Sequence, residues 1–178
     1  MKKILILIFI TIISSGLVYA LAYYIRMDSF SFALALNFML MACVLTFTEV
    51  MKSGLNSPYF NEKTWEKKGQ IYEALGIHFF RKLLVVTGWE KLNKKSKPVQ
   101  KNPEALVNLY YRTKQDELGH LIIMIIVLGF NIFVAYKFGI LKSMWLLILN
   151  ILLNIYPIFL QRYNRPRIER IMHFIGRR

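Results

Sequence analysis

Four apolar runs, Ile4 to Ile25, Phe30 to Val50, His120 to Tyr136 and Ser143 to Leu160, constrain this chain more than any other feature. A helix rises about 1.5 Å per residue, so runs of this length reach most or all of the way across a hydrocarbon core of about 30 Å. Lipid offers no partner for backbone N–H and C=O groups, so each run must satisfy its own, and a helix does this. Only Arg26 to Ser29 separate the first two runs, and a short turn containing Gly139 separates the last two. The expected fold is an all-α integral membrane protein with four transmembrane helices as two hairpins and cytoplasmic interfacial helices between them.

Composition enters as a check on that reading. At 56% hydrophobic residues and a mean hydropathy of +0.39, the chain is too apolar for an ordinary soluble domain of 178 residues. Its net charge of +14 would otherwise point to nucleic acid, but the cations avoid the apolar runs and collect between and after them. Nucleic acid is therefore not an expected partner. Lys2, Lys3, the Lys and Arg residues between Lys52 and Lys114, and those after Gln161 fall on one side, against Arg26, Lys137 and Lys142 on the other. The positive-inside rule then predicts a multi-pass membrane protein with both termini cytoplasmic. A rival reading of the N-terminus is a secretory signal, with Ala20-Leu21-Ala22 as its cleavage site. Cys43, the single cysteine, excludes an internal disulfide.

A single membrane domain over 1–178 is expected, made of a first hairpin (1–51), a cytoplasmic interfacial segment (52–119), a second hairpin (120–160) and a basic tail (161–178). Within the interfacial segment, Ile77 to Val86 carries Phe79, Phe80, Leu83 and Leu84 at helical spacing around Arg81 and Lys82. An ordinary packing helix fits the same pattern. Asn102-Pro103-Glu104 has the form of a helix start, and Lys91 to Lys101 reads as an exposed basic loop.

Polar residues inside apolar runs are costly, so they mark either helix–helix contacts or function. Asn150, Asn154, Pro157 and Gln161 recur at spacings of one helical turn, and His120 and Asn131 share a face of the preceding run. In an antiparallel pair, Asn131 would meet Asn150 and His120 would meet Gln161. Asn37 on the second run, with Glu49 near its end, adds to the set. Glu117 and His120, three residues apart, are neighbours on one helix. A His oriented by a carboxylate can take a proton from a hydroxyl, because its pKa lies near working pH. Glu-x-x-His is also half of a dinuclear carboxylate motif, but its second half is missing, so no metal is expected.

Three blocks carry a resemblance: Trp65-Glu66-x-x-Gly69-x-x-Tyr72-Glu73-x-Leu75-Gly76-Ile77, Arg112-Thr113-x-x-x-Glu117-x-x-His120, and Asn154-x-x-Pro157-x-x-x-Gln161-Arg162-Tyr163-Asn164-Arg165-Pro166-Arg167. Together they resemble the glycosyl-4,4′-diaponeurosporenoate acyltransferase family. Its members are small bacterial membrane proteins associated with the last step of staphyloxanthin-type carotenoid synthesis, in which a sugar hydroxyl of a glycosylated carotenoid is esterified with a fatty acyl chain. The resemblance implies a membrane acyltransferase that moves a fatty acyl group to a hydroxyl of a glycosylated or lipid-linked hydrophobic acceptor.

The roles of individual residues come from chemistry. His120 is the expected general base and Glu117 its orienting partner. Arg112, Arg162, Arg165 and Arg167 would attract an anionic acyl donor, either acyl-CoA or an acyl carrier protein. Gln161 or Asn164 would donate to the developing oxyanion. Tyr163, Asn154 and Glu49 complete the candidate substrate contacts. No further cofactor is expected; the partners are membrane lipid, the acceptor and the donor. Two alternatives stay open: a non-enzymatic membrane subunit or scaffold that holds anionic lipid, and a metal-dependent membrane hydrolase.

Overall fold

The structure, a computed structural model, describes residues 2–89, 91 and 103–175. Those residues are helical, without strands: α1 (Lys2–Tyr24), α2 (Phe30–Met51), α3 (Gln70–Ala74), α4 (Ile77–Val86), α5 (Pro103–Phe138) and α6 (Ile140–Ile175). Two 3₁₀ segments, Pro58–Phe60 and Thr64–Gly69, precede α3. Helices α1, α2, α5 and α6 are each long and apolar enough to cross a membrane. Asn102 of the anticipated helix start lies outside the described residues, as does the basic loop read over Lys91 to Lys101 except for Lys91, which is helical; α5 begins at Pro103.

The chain packs as two compact units. The first comprises Met1–Gly54 and Leu118–Pro157, the second Leu55–Glu117 and Ile158–Arg178.

The first unit is built on α2, whose Phe32, Leu36, Leu40 and Val44 recur every four residues and form one buried stripe. Ile123, Val127 and Val134 of α5 and Leu146 and Leu149 of α6 pack on it. Helix α1 lies against α2 through Val18, Leu21 and Ala22 and buries no residue fully. Its outer face is apolar, as lipid requires. Ser29 starts α2 by accepting the Phe32 N–H at 3.1 Å. Beside it, Asp28 accepts from Arg26 at 3.0 Å and from Lys142 at 3.4 Å, and the Arg26 hydrogen bond holds the Asp28 carboxyl below its usual pKa.

A single residue, Gly139, joins α5 to α6 in the first unit, at φ +96°, where a side chain would be strained. This tight turn sets the register of the polar contacts. His120 faces Asn154, the Asn150 amide donates to Met124 O at 3.1 Å, and the Asn131 amide donates to Ser143 O at 2.8 Å. The partners step by four and then seven residues in opposite directions, as antiparallel helices must. The expected register, Asn131 to Asn150 and His120 to Gln161, is therefore displaced by seven residues, or two turns. The sequence reading allotted 137–142 to the connection, whereas both helices extend into it and leave only Gly139.

Helix α6 also contains a π-helical turn, Ile151–Ile155. It ends two residues before Pro157, whose ring cannot donate an N–H and would crowd the carbonyl four residues earlier. A widened turn accommodates such a residue. Asn150 and Asn154 of the expected polar stripe stay bonded at 2.9 Å, while the π turn shifts the helical phase of Pro157 and Gln161 beyond them.

In the second unit, α3 and α4 pack with the first part of α5 and the part of α6 after Pro157. Buried Phe60, Tyr72, Ile77, Phe80, Leu106, Tyr163 and Ile168 form its interior. Phe79 and Phe80, adjacent on α4, part company: Phe80 is buried, while Phe79 is 72% exposed.

Candidate functional site

The three sequence blocks largely converge in the second unit. Glu117, with no exposed surface, sits between two guanidinium groups of α6. Arg162 Nε donates to its Oε1 at 2.7 Å, and Arg165 Nη2 donates to its Oε2. Arg162 spends its other nitrogens on Glu66 Oε1 and, at 2.9 Å, on Tyr59 O. Arg165 likewise donates to Phe60 O at 2.8 Å and to both the hydroxyl and the carbonyl of Thr113. Two carboxylates and two guanidinium groups thus cancel in charge, and each is hydrogen-bonded, which is the condition for burying ions at tolerable cost.

Glu66 is held by three donors: the Tyr72 hydroxyl, the Lys63 N–H at 2.7 Å and Arg162. Burial pushes its carboxyl up, but the hydrogen bonds from Tyr72, Lys63 and Arg162 outweigh this, and its pKa lies below the ordinary value. The Tyr72 phenol moves the opposite way, raised by burial and then by its bond to Glu66.

Arg167 closes the cluster. It pairs with Glu73 at 3.1 Å, donates to Tyr163 O, and lies 3.5 Å above the centre of the Tyr163 ring. The chain reaches this point through three successive left-handed residues, Lys67, Lys68 and Gly69, braced by Glu62 Oε1 accepting the Lys68 N–H at 2.7 Å. At Gly69, φ is +90°, and an added Cβ would stand 3.2 Å from Arg167 Nη1 and 3.4 Å from Tyr163 Cδ2. Gly69→Ala is expected to cost about 1–2 kcal/mol from the left-handed backbone alone. A thermal melt in detergent that matches the unsubstituted protein would contradict this.

His120 belongs to a different constellation, in the first unit. Its Nδ1 is 3.4 Å from Asn154 Oδ1. The Asn154 amide nitrogen donates to Asn37 Oδ1 at 2.7 Å and to Asn150 Oδ1 at 2.9 Å. Asn37 and Asn150 are themselves fixed by donating to the carbonyls of Ala33 and Met124. Each amide therefore has a determined orientation, and the series ends with a carbonyl oxygen facing His120. A carbonyl oxygen only accepts, so this contact favours the His120 tautomer that carries its proton on Nδ1.

The anticipated site residues thus separate. Glu117, Arg162 and Arg165 come together with Glu66 as a closed ion network, with Tyr163 and Arg167 packed beside Gly69. Asn154 meets His120. Gln161 and Asn164 are half-buried, and their side chains bond to no other described residue. Arg112 is half-buried, and Glu49 is exposed near the end of α2. Glu66, Tyr72 and Thr113 were not anticipated as members, while Asn37, already noted among the polar residues of the apolar runs, accepts from Asn154. Glu66, Tyr72 and Thr113 stood within the quoted blocks, but nothing in their spacing announced partners up to 96 residues away. A cleft of about 300 Å³ in the second unit, lined by Glu62, Lys68, Glu169, Arg170, His173 and Phe174, was also not foreseen. Among the described residues, no three His, Cys, Asp or Glu side chains are grouped as a metal-ligand set.

No curated protein and no solved structure matches the chain. The sequence pattern described as glycosyl-4,4′-diaponeurosporenoate acyltransferase matches residues 56–173, from the start of the second unit through most of α6, and the chain belongs to that family of membrane transferases.

Proposed function

We propose that the protein transfers a fatty acyl group to a hydroxyl of a glycosylated hydrophobic acceptor, with His120 as general base. The observation that carries this reading is the orientation of His120 by Asn154. With the proton on Nδ1, Nε2 accepts the proton of the acceptor hydroxyl as its oxygen attacks the acyl carbonyl. The carbon–sulfur bond of a thioester donor, acyl-CoA or acyl carrier protein, then breaks, and the thiolate leaves with the proton from His120. An ester and a free thiol result. Asn154 takes the orienting role first assigned to Glu117, whose oxygens bind Arg162 and Arg165.

The closed network of Glu66, Glu117, Arg162 and Arg165 favours a second reading, a membrane scaffold without activity, since its polar groups hold one another. Arg→Lys substitutions at 162 or 165 do not separate the two readings, because Lys cannot reproduce the forked contacts in either case. Lipid mass spectrometry does. Cells expressing the gene are expected to contain an acylated glycolipid that is absent from the deletion strain, and identical profiles would favour the scaffold.

A further inference from the structure

Helix α4 presents two faces. Ile77 and Phe80 are buried in the second unit, while Phe79, Val85 and Val86 point outward, with Val86 84% exposed. Trp89, also exposed, lies just beyond the end of α4, after the left-handed Gly88. Phe79, Lys82 and Val86 fall three or four residues apart on α4, so they share one side of it. Arg81 and Lys82 are exposed among these apolar side chains. From Ile77 to Lys101 the sequence holds Arg81, Lys82, Lys91, Lys94, Lys95, Lys97 and Lys101 against one acid, Glu90.

We propose that this outer face of α4 docks on the surface of an anionic bilayer. A protein partner with an apolar groove would match Phe79 and Val86, but Arg81 and Lys82, interleaved with them, fit negative head groups. Apolar side chains enter the head-group and acyl boundary while Lys and Arg stems extend toward phosphate. Anionic lipid adds attraction that neutral lipid lacks. The chain's four candidate spans keep this segment tethered to the bilayer. The inference does not rest on acyl transfer.

The test uses the full chain in nanodiscs with Cys43→Ser, which removes the single native thiol. A nitroxide is attached through Val86→Cys, and in a second protein through Asn61→Cys, an exposed position in the same unit. Accessibility to oxygen and to a water-soluble nickel chelate is measured in phosphatidylcholine, with and without phosphatidylglycerol. With phosphatidylglycerol, the label at 86 is expected to be shielded from the chelate several-fold more than the label at 61, and to gain oxygen contact. Adding Arg81→Glu and Lys82→Glu should return it to water. Equal chelate exposure of the two labels would overturn the proposal. So would shielding indifferent to phosphatidylglycerol and to the charge reversal, or spin–spin broadening that shows a second copy on this face.

Discussion

Glu117→Gln is expected to destabilise the second unit by about 3–5 kcal/mol, the loss that follows when one member of a buried ion cluster is neutralised. Glu117 has no exposed surface, and both its oxygens accept from guanidinium groups. The amide keeps the shape, but its NH₂ must face an Arg donor, and Arg165 loses its carboxylate partner while Arg162 keeps Glu66. The melting temperature in detergent should fall, and hydrogen exchange should accelerate in the 3₁₀ segment Thr64–Gly69, which Arg162 holds through Glu66. Unchanged exchange there would show that the network contributes little. Acid should act on the same cluster. The folded pKa of Glu66 lies below its unfolded value, so its contribution is present above the unfolded pKa and fades as pH falls through the folded one.

The second large effect concerns chemistry rather than stability. His120→Ala should lower acyl transfer by about two to four orders of magnitude, the usual range for removing a general base. Because His120 is half-buried, melting should change far less than for Glu117→Gln. Asn154→Ala should lower turnover less, since the base remains and only its orientation is lost, but it should also alter the pH–rate profile. Acylated product from membranes, quantified by lipid mass spectrometry, gives these ratios. Undiminished turnover in His120→Ala would remove the proposed base, whereas transfer that survives in both variants would leave the acyl-transfer reading intact and require another base.

Apolar length made the four long helices legible, because a run of about twenty residues in lipid has few alternatives to helix. Periodicity also placed α4, although it did not tell which of Phe79 and Phe80 would be buried. The register of α5 against α6 was not legible, since it depends on how many residues the turn consumes, and Gly139 can turn the chain alone. The Arg partners of Glu117 were not legible for a related reason. His120 is its neighbour in sequence, while Arg162 and Arg165 lie 45 and 48 residues away. Local spacing ranks the nearby partner first, but a buried carboxylate is claimed by the strongest fixed charges that the fold brings to it.

The π turn at Ile151–Ile155 has a further consequence, for how this segment tolerates changes of length. One residue more than α periodicity requires is a phase slip of about 100°. Deleting a residue among 151–153 could relax the turn into ordinary α-helix, with the slip absorbed there instead of passed along the chain. A deletion elsewhere in α6 has no such slack and would misalign everything downstream. The segment around Asn154 is thus the part of α6 best able to absorb the loss of one residue, and comparisons among family members should allow a gap there before assuming a substituted asparagine.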